Sequence, residues 1–277
     1  MKLADAHLHL FKNGYRGLYG KSLLRPDVDV YEQLRAAHGI ERGLVVGYQA
    51  EGIDPENNAY IRSLAVEHAW MATLAHIEAR APPTAHAVTK LMNDGHVGIT
   101  LYIQESSAAK ALTSWPIAAW RSFNERRAII SLNVSLDFVS AFTPLARDNP
   151  NCRFLVSHIG MPGAYKSPPA TAQAEETLMP LLRLATMQNV FVKISGLYAI
   201  SDPGYDYPHR AAAPFIEVVL DRVGPERCLW GSDFSPALDH VSFAQTVSTP
   251  WLESLAEEDR AKVMGGNLIG VLNRART

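Results

Sequence analysis

The chain is poor in several features that would direct a reading elsewhere. It has two cysteines, Cys152 and Cys228, far apart in its 277 residues. That excludes a disulfide-stapled small domain and any thiolate metal cluster, and suits a reducing compartment. No apolar run approaches the ~18 residues needed to cross a bilayer. Asp5 and the histidines beside it interrupt any secretory hydrophobic region at the start, so a cytoplasmic protein is expected. There is no excess of positive charge, with 26 Lys and Arg against 28 Asp and Glu and a formal net charge of −2, which argues against nucleic acid or an anionic membrane surface as partner. No G-x-G-x-x-G or P-loop pattern, low-complexity tract or short repeat occurs. A small molecule is left as the expected ligand.

What is present is apolar material for a large core, 47% hydrophobic against 19% charged. Short apolar runs recur along the whole length and read as buried strands near 2–9, 43–48, 69–76, 97–102, 128–134, 153–158, 190–195 and 228–233. Helix signals lie between them. Asp27 or Asp29 is a candidate cap for a helix running to His38 and ended by Gly39. Pro214–Val223 has a 3.6-residue apolar period, and Ser254 with Glu257 forms a capping-box pattern. Strands alternating with helices imply a parallel sheet with right-handed crossovers, and eight units imply a single-domain (β/α)₈ TIM barrel over residues 1–277, with an open doubly wound sheet as the alternative. The long irregular stretches 11–26, 159–173 and 197–213 each follow a strand end, where barrels carry their substrate loops.

Three strand ends carry chemistry. In Asp5-Ala6-His7-Leu8-His9 strict alternation turns Asp5, His7 and His9 inward, and two imidazoles one strand-step apart can share a divalent cation. The alternative is a hydrogen-bonded imidazole pair. His158 ends a strand in Ser157-His158-Ile159-Gly160, where a polar residue at a barrel's C-terminal face points to catalysis. Asp233 ends the last strand in Gly231-Ser232-Asp233, after a glycine that leaves interior space. A carboxylate there can ligate a metal or take a proton from water. Lys193 falls on the inward face of its strand and needs a buried partner, with Asp233, Asp5 or a substrate anion as candidates. Tyr48, Tyr102 and Tyr198 stand at strand ends, and Arg16 and His209 in loops, as candidate substrate contacts. His38, His68, His76, His86, His96 and His240 read as surface or helix-end residues.

In joint order these segments resemble the amidohydrolase superfamily, in its amidohydrolase-related (amidohydrolase 2) branch with the pyrone-dicarboxylate and sugar lactonases. DAHLHLF at 5–11, SHIGMP at 157–162, VKISGLY at 192–198, ERCLWGSDFSP at 226–236 and GGNLIGVL at 265–272 carry the resemblance over essentially the whole chain. It implies a hydrolase of an ester-type C–O bond, most naturally a lactone. Asp233 and His158 would be catalytic, and His7, His9 and Asp233 the ligands of one zinc or manganese ion, or a metal-free equivalent. Homodimers are common among such enzymes. Asn133 stands where metal-rich members carry a fifth-strand ligand, which argues against a binuclear centre, and no arginine stands at Thr100-Leu101-Tyr102 to hold a dicarboxylate. A metal-dependent decarboxylase of an unsaturated acid and a non-catalytic binding barrel are the other readings.

Overall fold

The computed structural model describes residues 1–18, 25–50 and 54–275. Of the irregular stretch 11–26, residues 19–24 lie outside the described ones. Among the described residues eight parallel strands follow one another in chain order: β1 (Leu3–Leu8), β2 (Ile40–Val46), β3 (Met71–His76), β4 (Gly98–Ile103), β5 (Ile129–Val134), β6 (Arg153–Val156), β7 (Val190–Ile194) and β8 (Cys228–Trp230). The Leu8–Phe234 bridge and the bond from Asp233 N–H to His7 O, 2.8 Å, join the last strand region to the first. The expected (β/α)₈ barrel is the observed one.

Alternation sorts the side chains into two layers. Residues such as Ile99, Leu101, Ile130, Leu132, Val190 and Val192 face the helices and form the larger apolar cluster. Leu44, Leu74, Ile129, Leu155 and Leu229 point inward and meet Leu268 and Leu272 of the helix Asn267–Ala275. The lower barrel is therefore packed solid, and the first polar inward side chains above that layer are Thr100, Ser131 and Lys193.

Strict alternation fails on β1. Its register against β2 slips between Asp5 and Leu8, with three residues opposite two. Asp5 is thereby turned to the helix side, where its carboxylate accepts from Tyr31 Oη (2.9 Å) and from Ser232 N–H (2.9 Å) and Oγ. Ala4 and Ala6 take the inward places below His7. The inward position expected for Asp5 is corrected by this irregularity.

Other local expectations also change. Neither Asp27 nor Asp29 caps the helix Asp27–His38, whose N-cap is Pro26; Asp27 instead accepts from Phe11 N–H (3.1 Å) and Tyr15 N–H, tying down the loop after β1. Gly39 does end that helix, left-handed at φ 68°. Ser254 caps nothing, because the helix Glu257–Ala261 starts from Ala256. The capping box present is Ser242 with Gln245. His76 and His96, expected at the surface or at a helix end, are buried, His76 as the last residue of β3. No helix among the described residues is long and apolar enough to cross a membrane.

Candidate active site

β6 and β8 stop short of their chemistry-bearing residues because the backbone leaves the strand there. His158, Ile159 and Met161 all have positive φ near 55°, and so does Asp233. Non-glycine residues held in that region are strained and cluster at functional sites. The two turns swing His158 and Asp233 over the barrel axis, above His7 and His9. Gly231 allows this closeness, since a methyl group there would lie 2.8 Å from His7 Cβ.

The four side chains converge at the C-terminal mouth, all under a tenth exposed. His7 and His9 bring their Nε2 atoms to 3.1 Å, and Asp233 Oδ1 stands 3.6 Å from the first and 3.7 Å from the second. His158 Nδ1 is 4.0 Å from Asp233 Oδ2 and 3.1 Å from Ser195 Oγ. Tyr198 donates its hydroxyl proton to Asp233 Oδ2 at 2.8 Å. Burial first, and then the Asp233 charge, push the Tyr198 phenol well above its ordinary value, so it stays a donor. Oδ1 of Asp233 is left facing His7 and His9.

Proton positions follow from fixed acceptors. Val46 O, 2.9 Å from His9 Nδ1, can only accept, so His9 carries its proton on Nδ1 and presents a lone pair at Nε2. Burial lowers the His9 pKa to about 4 despite the Asp233 charge, and lowers that of His7 well below the ordinary range, so both rings are neutral near pH 7. Lys193, fully buried, donates to Ser131 Oγ at 2.8 Å and lies 3.3 Å from His7 Nδ1. Neither Asp233 nor Asp5 is its hydrogen-bond partner. Desolvation holds its ammonium down to about 7, with Asp5 and Asp233 pulling it back up. A charged Lys193 donates to His7 Nδ1 and leaves the His7 proton on Nε2, bonded to His9. A neutral Lys193 accepts from Nδ1–H and frees both Nε2 lone pairs.

Those lone pairs fit a cation. Ligands bound to tetrahedral zinc at 2.0–2.2 Å stand about 3.4 Å apart. The separations of 3.1, 3.6 and 3.7 Å among His7, His9 and Asp233 bracket that value. His7, His158 and Asp233 also bring ligating atoms within 4.8 Å of one another. Nitrogen and carboxylate donors suit zinc or manganese, and the inward end of β5 offers Asn133, which accepts from Gln104, rather than a further anionic ligand.

A cavity of about 590 Å³ opens above this group. Of the residues expected to contact substrate, Tyr48, Tyr102, Tyr198 and Arg16 line it, with Arg16 the one permanent cation among the described lining residues. Lys193 lies beneath the floor, and His209 lines a separate small space with Trp230 and Trp251 behind Tyr198. Tyr15, Asn13 and Ser195 are additions. Tyr15 lines the cavity and donates to Asp239 Oδ2 at 2.6 Å across a separation of 224 residues. No local pattern announces that pairing, whereas Ser195, one residue before a glycine at the β7 end, follows the same strand-end rule as His158.

A family model described as amidohydrolase matches residues 4–269. The chain is 30% identical over 133 residues to an L-fucono-1,5-lactonase from Burkholderia ambifaria, covering 46% of this chain and 43% of that protein, so the match spans less than half of that relative. It is 26% identical over 238 residues to a 4-sulfomuconolactone hydrolase from Rhizobium radiobacter, covering 83% of this chain and 74% of that one. A zinc-bound amidohydrolase crystal structure from Burkholderia multivorans superposes with a TM-score of 0.78 at 18% identity, covering 99% of each chain, which shows the shared fold.

Proposed function

The chain belongs to the amidohydrolase family, and on that footing we propose that it is an enzyme that hydrolyses a cyclic ester, a lactone, of a small molecule. The observation that carries this reading is the Asp233 carboxylate. One oxygen is held by Tyr198 beside His158, and the other stands at the floor of a substrate-sized cavity against His7 and His9. The two lactone-hydrolysing relatives support it.

Asp233 Oδ1 accepts a proton from water, and the hydroxide adds to the lactone carbonyl carbon. The ring C–O bond then breaks, and the proton passes to the leaving alkoxide from Asp233, with His158 at its side to relay it. The product is a hydroxy acid. Tyr48, Tyr102 and Arg16 contact the substrate from the walls. His7, His9 and Asp233, with His158 adjacent, would hold one zinc or manganese ion, as their spacing fits. Such an ion supplies a bound water of pKa near ~7 and a Lewis acid for the carbonyl. Lys193 sets the His7 tautomer from below. His209 lies outside the cavity and acts at most through Tyr198. A reducing, cytoplasmic setting belongs to the same proposal and is supported by the two free, buried cysteines.

The test is a panel of five- and six-membered sugar lactones against the wild type and Asp233→Asn. The variant keeps the fold and loses at least ~10³-fold in kcat, by analogy with removal of a general base. Near-normal turnover by Asp233→Asn overturns the assignment. Carbon dioxide release from unsaturated acids, with no lactone opened, replaces it with the decarboxylase reading.

A further inference from the structure

An acyl transfer is helped by a donor for the oxygen that becomes negative. The two imidazoles at the cavity floor, His7 and His9, do not provide one, while His158 is engaged by Ser195 at its Nδ1 and stands on the Asp233 side. His9 has given its only proton to Val46 O, and the His7 proton is committed either to His9 or to Lys193. Tyr198 is bound to Asp233, and Tyr15 to Asp239. The Tyr102 hydroxyl differs from these. It is buried, it has no hydrogen-bond partner among the described residues, and its side chain lines the same cavity as Asp233.

Its placement is set by topology. Tyr102 is an inward residue near the end of β4, and β4 stands diametrically opposite β8 in a ring of eight strands in chain order. A carbonyl held in the cavity therefore has Asp233 on one side and Tyr102 on the other. The ring is fixed by edge contacts with Tyr48, centroids 4.7 Å apart at 72°, and with His76, 5.2 Å at 83°. His76 is anchored in turn by its Nδ1 against Gln49. A donor held in place before the reaction, with no partner to give up, is the kind of group that stabilises a transition state rather than the substrate.

We propose that Tyr102 is a catalytic residue that donates its hydroxyl hydrogen bond to the lactone carbonyl oxygen and to the oxyanion formed from it. The role rests on the lactonase reading above. No proton is transferred: the hydrogen bond shortens as hydroxide adds and relaxes when the ring C–O bond breaks. Burial, and then the Asp233 charge, push the phenol well above its ordinary pKa, which keeps the hydrogen in place through the neutral range.

The experiment is Tyr102→Phe, measured on whichever lactone the wild type opens fastest. The hydroxyl has no partner among the described residues, so the variant keeps its melting temperature. The expected result is a fall in kcat of about 10²–10³-fold, as for loss of one oxyanion donor. KM should move by less than about threefold, and a cyclic phosphonate mimic of the tetrahedral state should lose affinity in step with kcat. A kcat within threefold of wild type overturns the role, and so does a rise confined to KM, which marks ground-state contact alone. A wild type that opens no lactone overturns the lactonase reading itself and is recognised before any variant is made.

Discussion

Asp5 lies on β1 and His9 one residue past its end, and the two respond to burial in opposite directions. The His9 pKa falls to about 4, and that of Asp5 rises to about 6 even though it accepts from Ser232, His7 N–H and Tyr31. For His9 the unfolded chain takes up a proton at pH 6.5 and the folded chain does not until about 4. Stability is therefore present above 6.5 and lost as pH falls through that window, by roughly 3 kcal/mol at the limit. His96 and His209, also lowered to about 4, act with the same sign, and His7 and His76 are lowered too. Asp5 has the reverse sign, since its folded form holds a proton that the unfolded form releases above 3.8, and it offsets part of the loss between 4 and 6. Asp27, also raised by burial, has the sign of Asp5, and the five histidines outweigh the two carboxylates. Urea unfolding at pH 7 and pH 5 should show a clear drop at the lower value, and equal stability at the two would contradict neutral, buried imidazoles.

At the scale of elements, the site depends on how closely the βα turns approach one another. Gly196, just past β7, has φ 61°, and a methyl group there would stand 2.3 Å from His158 Nδ1. Gly196→Ala must push His158 away from Ser195 and Asp233, besides paying about 1 kcal/mol for the left-handed backbone. Misplacing a reacting group by about 1 Å costs on the order of 10²-fold in rate. A fall of that size in kcat, with a melting point only a few degrees lower, is expected; wild-type kcat would show that the position of His158 is not used.

The same elements show what a sequence displays and what it hides. Strand ends were legible because polar residues there interrupt apolar runs, as His158 and Asp233 do. The orientation of Asp5 was not, because the slip between Asp5 and Leu8 costs the sequence no visible residue pattern. The pairing of Tyr15 with Asp239 was equally hidden, because contacts between loops far apart in sequence carry no periodicity. His209 sits in the expected loop, yet its side chain turns into the space behind Tyr198. The proton arrangement around His7 required Lys193 Nζ and Val46 O as fixed reference points, and only the folded chain supplies them.

At the scale of the whole molecule, the candidate ligands lie on both sides of the barrel's seam. His7 lies on β1 and His9 just past its end, and Asp233 follows β8, while the seam among the described residues is one bridge, Leu8–Phe234, flanked by hydrogen bonds such as that from Asp233 N–H to His7 O. Asp5 ties β1 to Ser232 just below. A cation held by the three side chains thus joins the first strand to the last and binds only the closed barrel. Linkage then gives roughly 2.7 kcal/mol of stabilisation when free metal is a hundred times its dissociation constant. For a chain of this size that is a rise of roughly 5–10 °C in melting temperature. Chelator-treated protein titrated with zinc or manganese should show this rise in the wild type and lose most of it in His7→Ala. An unchanged melting point in the wild type, at saturating metal and with lactone turnover intact in chelator, would mean that the carboxylate and the imidazoles activate water without a cation. The separations of 3.1 to 3.7 Å among His7, His9 and Asp233 would then serve a relay of hydrogen bonds instead of a coordination sphere.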